Sequence, residues 1–227
     1  MMNSLSTYKD RITDILSPRR FGLVTDAAIE SGDYVVLDTE LTGLDPKKDS
    51  IVSIGAVRMK GGRIDLGNIF YRLINPSTAM KHKSIVIHGI TPSDVAEKPL
   101  IAGVMSELID FCRDDVIVGH FISLDMDFIN RDARRIYGAP LKNRVVDTCS
   151  VHEWIRSNDG DFSRHYGGLA EELNLFSLAK KYRIPFSNAH NAINDAFVTA
   201  QLFQRFLSFL PRFGVKTLKD LLRIGKP

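Results

Sequence analysis

Apolar positions along this chain fall into a short series of strand-like and helix-like runs. Tyr34-Val35-Val36-Leu37 is apolar on both faces, the pattern of a central strand, and it runs directly into Asp38-Thr39-Glu40. Ile51 to Val57 reads as a second strand and Asn68 to Ile74 as a third, with the Lys60-Gly61-Gly62-Arg63 turn between them making a hairpin. Thr91-Pro92-Ser93-Asp94 opens a helix, with Thr91 as cap, Pro92 at the first helical position and Asp94 closing the cap. Leu100, Val104, Leu108 and Phe111 then recur at helical spacing. Val116 to Val118 is a short strand ended by Gly119-His120, and Ser123 is placed to cap a helix running to about Tyr137. Val145-Val146 is the last strand, followed by helices near 149–156, 169–182 and 192–210. The closing helix carries the apolar stripe Ala196, Ala200, Phe203, Leu207 and Leu210.

The order is three strands, then strands alternating with helices. It predicts an α/β domain with a mixed five-stranded sheet, an antiparallel hairpin joined to parallel strands and flanked by helices. Ligands of such sheets gather at the carboxyl ends of the parallel strands. That places Asp38 and Glu40 at one such end and His120 at its neighbour. The domain is expected over residues 33–210. Residues 1–32 are expected to form an N-terminal helical extension, with Ile12, Ile15 and Leu16 on one short helix ended by Pro18, and residues 211–227 a short C-terminal tail.

The 227 residues suffice for one well-buried domain, and 44% apolar with 25% charged residues is ordinary globular composition. The net charge of +3 is compatible with a nucleic-acid partner without requiring one. Cys112 and Cys149 are too few for a disulfide framework and are spaced unlike metal ligands, so each reads as a small core or surface residue, with a reducing compartment as the default. The first residues lack the apolar core of a signal peptide, and no apolar stretch reaches the roughly 20 residues of a membrane span. The expected location is cytoplasmic, with no membrane partner.

Chemistry concentrates in the acids. Asp38 and Glu40, two apart on a strand, point the same way, and two buried carboxylates side by side call for a positive charge between them. Asp125 follows His120 by five residues and falls in the first turn of its helix, where the dipole favours a carboxylate. His190 and Asp195 repeat that spacing. On one regular helix the two would point about 140° apart. The consistent placement puts His190 on the loop before the helix, Asn191 at the cap and Asp195 in the first turns. Four carboxylates from two strand ends and two helix starts make an oxygen-only site suited to Mg²⁺ or Mn²⁺. Two such ions about 4 Å apart clamp the attacking and leaving oxygens of a phosphodiester. His190 at a helix N-terminus favours the neutral, proton-accepting imidazole and fits a general base.

In order and spacing, Asp38-Thr39-Glu40, His120 to Asp125 and His190 to Asp195 resemble the three motifs of the DnaQ-like 3′–5′ exonucleases, in the histidine-containing DEDDh branch. The chain is similar to the proofreading epsilon subunit of DNA polymerase III over about residues 33–205. The resemblance implies a ribonuclease H-like fold and removal of nucleoside monophosphates from 3′ ends by two-metal-ion hydrolysis. It implies Asp38, Glu40 and Asp195 around one Mg²⁺, Asp38 and Asp125 around a second, Mn²⁺ as substitute, and His190 as general base. Ile87-His88-Gly89-Ile90 resembles the family's HGI segment, which makes His88 a substrate contact, with Leu41 and Thr42 against the terminal base and sugar. Val146-Asp147-Thr148 resembles the VDT strand, whose aspartate is structural.

Two positions depart from the family pattern. Phe121 stands where relatives often carry Asn, and Leu124 where they carry Phe; both bear on substrate preference. Asp127 is an extra acid two beyond Asp125. His120 reads as structural, Lys81-His82-Lys83 as a solvated loop, Arg131, Arg134 and Arg135 as a solvated helix face, and Trp154 as core. Glu172 to Phe176 resembles the Leu/Phe peptide that binds sliding clamps, but Leu169, Leu173, Phe176 and Ala179 have helical spacing and read as core. The expected partners are single-stranded nucleic acid 3′ ends, DNA before RNA, and a polymerase or other replication protein. The alternatives are an exoribonuclease or oligoribonuclease of the same fold, and a catalytically silent nucleic-acid-binding module.

Overall fold

The computed structural model describes residues 26–159, 172–187 and 189–227. The helix expected around Ile12 to Leu16 lies outside them, as does the start of the one expected at 169–182. One five-stranded sheet organises the chain, in the order β3-β2-β1-β4-β5. Strands β1 (Asp33–Leu41), β2 (Ile51–Lys60) and β3 (Arg63–Leu73) pair antiparallel; β4 (Val116–Gly119) and β5 (Val145–Asp147) continue parallel to β1.

Alternation along β1 sorts the helices onto two faces. Tyr34 and Val36 join a core with α5 (Thr148–Asn158), α6 (Leu175–Lys181) and α7 (Ala192–Phe209), where Val151, Leu178, Phe203 and Phe206 are buried. Val35 and Leu37 face the other way, against α3 (Ile101–Cys112) and α4 (Ser123–Tyr137), through Val104, Leu108, Phe128 and Ile129. The same alternation carried forward aims Asp38 and Glu40 toward α7 and Thr39 toward α4. β1 does not stop at Asp38, because Asp38 to Glu40 stay paired with Gly55 to Ser53 on β2.

Several local expectations are corrected. The expected helix after Thr91 is two elements: Asp94 accepts from the Thr91 N–H at 2.7 Å and closes the one-turn α2 (Pro92–Val95), and α3 starts afresh after Pro99. Proline disfavours helical backbone at Lys98 before it, which separates the two helices, and Leu100, extended and exposed, is the cap of α3 rather than part of the buried stripe. Ser123 does not cap α4; Ile122 occupies that position without a side-chain bond, and Ser123 is the first helical residue. Lys81 to Lys83 do not form a loop: His82 and Lys83 open a short helix, α1 (His82–His88). Leu173 and Asn174 precede α6, whose buried residues are Leu175, Leu178 and Ala179.

Residues 211–227, expected as a tail, are packed into the domain. Val215 and, from α8 (Leu218–Ile224), Leu218, Leu221 and Ile224 are buried in the first core. The Asp147 N–H donates to the Gly225 carbonyl at 2.7 Å, and Leu218 N–H donates to the Ala27 carbonyl at 2.8 Å. Ile29, within the expected extension, is buried beside them. No described helix is long and apolar enough to cross a membrane.

Candidate active site

Glu40 and Asp195 are buried and Asp38 is half-buried, and each offers an oxygen within 4.8 Å of the others. Asp195 sits in the first turn of α7, which is capped as the sequence suggests: Asn191 accepts from the Asn194 N–H. His190 lies on the preceding loop with a left-handed φ of 64°, and its N–H donates to Asp195 Oδ2 at 3.1 Å. The other oxygen, Asp195 Oδ1, is buried without a hydrogen-bond partner in the protein. Asp125 reaches the group from the opposite face of the sheet. Its Oδ1 accepts from both the N–H and the hydroxyl of Thr39, at 3.0 and 2.6 Å. Asp127, by contrast, is exposed on the far side of its turn.

The acids strain one another electrostatically. Burial, then the charges of Asp125, Glu40 and Asp195, hold the Asp38 carboxyl well above the usual carboxylate range. Burial, then Asp195 and Asp125, push Glu40 up to about 8. Burial takes Asp125 to about 7 against its bonds to Thr39, and Asp195 to about 6 against its bonds to the His190 and Asn191 backbone. Clustered carboxylates with an unsatisfied buried oxygen fit a hard divalent cation, which removes both the repulsion and the unmet acceptor.

This arrangement makes stability depend on pH in the metal-free protein. Folded Asp195, Asp125 and Glu40 hold protons up to about 6, 7 and 8, whereas the unfolded chain releases them near its ordinary carboxylate values. Between those limits the folded state binds more protons, so its stability falls as pH rises from about 4 to about 8. In EDTA the melting temperature should decline from pH 5 to pH 8, and Mg²⁺ should restore it most at pH 8. A melting temperature that rises over that range, or ignores Mg²⁺, would contradict the reading.

The acids open into a cleft lined by Leu41, Gly43, Leu44, Ser84, Ile87, His88, His120, Phe121 and Leu124. His88 Nδ1 accepts from the Ile90 N–H at 3.0 Å, which leaves the proton on Nε2, a buried atom with no hydrogen-bond partner. Burial keeps this imidazole's pKa below its ordinary value. Leu41 and His88 both line the cleft. Thr42 does not: its side chain is fully buried, its Oγ1 accepts from the Ser50 N–H at 2.9 Å and lies 3.1 Å from the Thr78 hydroxyl, and it shapes the wall from behind. His120 is structural, with Nε2 on the Leu173 carbonyl at 2.7 Å and Nδ1 2.9 Å from the Thr148 hydroxyl. Asp147 is structural too, accepting from the Cys149 and Phe121 N–H groups.

Four residues that shape the site were not among the sequence candidates for it. Arg131, expected on a solvated face, instead donates to the Pro46 and Asp49 carbonyls and stacks over Phe128; Arg134 and Arg135 are exposed. The Asp49 carboxylate is buried and ties the 42–50 loop to α1, accepting from the Asp45 N–H and pairing with Lys81 at the start of that helix. Replacing Asp49 with Ala should loosen the cleft wall made by residues 42–50 and α1. A loss of about 1–3 kcal/mol is expected from the orphaned partners, read by urea unfolding, with a raised KM and little change in kcat. Tyr71 lies beside Asn191 and Glu40, and burial raises its phenol's pKa. Gly55 faces Asp38 across the β1–β2 ladder, and a Cβ there would run into the backbone of Ala192 and Ile193. Its signal was a lone glycine inside a strand, which marks close approach of another backbone.

A mixed sheet in this order, with acids at the end of its central strand and at two helix starts, defines a ribonuclease H-like nuclease fold. The Exonuclease family matches residues 35–203, and the chain belongs to that family. It is 31% identical over 202 residues to the DNA polymerase III PolC-type protein of Thermotoga maritima, covering 89% of this chain and 14% of that protein. It is 28% identical over 196 residues to the DNA polymerase III subunit epsilon of Aquifex aeolicus, covering 86% of this chain and 91% of that one. E. coli exonuclease I in complex with a dT13 oligonucleotide shares the fold, with a TM-score of 0.68 at 19% identity over 81% of this chain and 42% of the other. The chain thus spans only a small part of the PolC-type relatives.

Proposed function

We propose that this chain is a metal-dependent 3′–5′ exonuclease that removes nucleoside monophosphates from DNA 3′ ends. The observation that carries the reading is the buried, partnerless Asp195 Oδ1 set against Asp38 and Glu40 at the floor of an open cleft. The donor set fits two Mg²⁺, or Mn²⁺ in their place: Asp38, Glu40 and Asp195 would hold one, and Asp38 with Asp125 the other. When bound, such ions neutralise charge on the attacking and leaving oxygens of a phosphodiester.

The protein supplies the rest. Thr39 fixes Asp125 through two donated hydrogen bonds, so that carboxylate is aimed before any cation arrives. His190 takes the proton of the attacking water. Its backbone N–H is bonded to Asp195 while its side chain is exposed, with the ring centroid 5.4 Å from that of Phe176, so the ring can accept that proton and pass it to solvent. His88, protonated on Nε2, donates to the terminal sugar, and Leu41 packs on the terminal base. The names of the relatives, DNA polymerase III chains, support DNA as the strand and a polymerase as the partner.

The test is digestion of 5′-labelled single-stranded DNA and RNA of one sequence, with Mg²⁺, Mn²⁺ or EDTA. A ladder shortening from the 3′ end, faster on DNA and absent in EDTA, is expected. A faster RNA ladder would make the chain an exoribonuclease, and intact substrate with retained binding would make it a silent binding module.

A further inference from the structure

The cleft has an unusual rim. Phe121 is 51% exposed, Leu44 74% and Ile87 55%, and all three line the cleft that ends in Asp38, Glu40 and Asp125. Large apolar side chains gathered in the open at the mouth of a polar site mark a surface that something apolar covers. Phe121 differs from the other two in its backbone. Its φ is +52°, in the left-handed region that Asn and Gly tolerate and a bulky aromatic residue does not. Such strain persists where the surroundings enforce it, and it clusters at functional sites.

The surroundings here do enforce it. The Phe121 N–H donates to Asp147 Oδ1 at 3.2 Å, and Asp147 is itself fixed as the cap of α5. The Phe121 ring stands edge-on to His120, with centroids 4.6 Å apart, and His120 is held at both ring nitrogens. The result is an aromatic face that is rigid, presented to solvent, and four residues before Asp125 in the chain. A packing role would bury the ring, and a turn role would be met better by a smaller residue.

We infer that Phe121 is a stacking platform for a nucleobase of the unpaired strand next to the scissile phosphodiester, and so a specificity-determining residue for single-stranded ends. This rests on the nuclease reading of the same cleft. Every base offers a π-face, so the platform grips the strand without reading its sequence. Loss of one base–aromatic stack corresponds to about a tenfold loss of affinity.

The experiment uses the full chain as wild type, Phe121→Asn and Phe121→Leu, with oligonucleotides carrying a single abasic site at the last, second-last or third-last position. The wild type should show a KM raised about tenfold by an abasic site at one of these positions. In Phe121→Asn the KM on intact DNA should rise about tenfold with kcat within a few-fold, and the abasic site at that position should cost nothing more. Phe121→Leu, apolar but without the ring face, should behave like Phe121→Asn. The melting temperature of Phe121→Asn should hold or rise, because Asn accepts the left-handed backbone. An unchanged KM in both variants, or an abasic penalty of the same size in wild type and variants, would overturn the inference. Fluorescence anisotropy of a labelled dT oligonucleotide, on protein also carrying Asp38→Asn, reads the same contact without turnover. If the wild type makes no ladder while Phe121→Asn still weakens that binding, the nuclease reading fails and the platform stands.

Discussion

Asp38→Asn should abolish nuclease activity and stabilise the metal-free protein. Asp38 lies between the two proposed ion sites and faces Asp125, Glu40 and Asp195 at once. An amide there is a poorer donor to a hard cation, and losing several kcal/mol of charge stabilisation lowers turnover by at least about 10³-fold. The same substitution removes the carboxyl that burial and three like charges penalise most, so the melting temperature in EDTA should rise at pH 8 and change little at pH 5. His190→Ala should separate the two effects. It should cost about 10²–10⁴-fold in kcat, the range for a lost general base, and leave the pH dependence of stability as in wild type. A 5′-labelled strand assay and melts at the two pH values measure both. An Asp38→Asn protein that digests DNA normally, or melts lower in EDTA at pH 8, would show that the acids are not a repelling cation site.

Gly55→Ala should be nearly as damaging, although Gly55 touches no substrate. The α7 backbone at Ala192 and Ile193 passes so close to β2 that an added Cβ has no space. The obstruction is backbone and cannot swing aside as a side chain can. Displacing α7 should cost about 3 kcal/mol, the upper part of the usual range for overpacking. It would also move Asp195, the fourth residue of the helix, relative to Asp38 and Glu40. A shift of about 1 Å at a reacting group lowers rate by about 10²-fold, so kcat should fall at least that far even in molecules that fold. Gly62 gives the control. It sits in the β2–β3 turn with open space around it, so Gly62→Ala should leave both unfolding free energy and kcat near wild type. Equal behaviour of the two variants would mean that α7 can withdraw from the sheet without harm.

The chain's own pattern determined most of the architecture. Short apolar runs identified the strands, their order suggested a mixed sheet, and the caps at Thr91 and Asn191 located two helix starts, because each of these signals is local and lies within a few residues. The acids were legible for the same reason: Asp38 and Glu40 share a face by strand geometry, and the His–Asp spacings put Asp125 and Asp195 at helix starts. Tertiary structure decided the rest. Thr42 turned away from the cleft because Ser50, at the end of the β1–β2 loop, and Thr78, in the segment after β3, both bond its hydroxyl. Arg131 became half-buried because two backbone carbonyls more than eighty residues earlier accept its guanidinium N–H groups. Residues 211–227 became core because Val215, Leu218, Leu221 and Ile224 found apolar surface beside β5, and no stretch of sequence announces which distant face it will cover. Gly55 and Phe121 carry the same lesson at the site itself. A missing Cβ and a positive φ have meaning only once another segment of the chain stands against them.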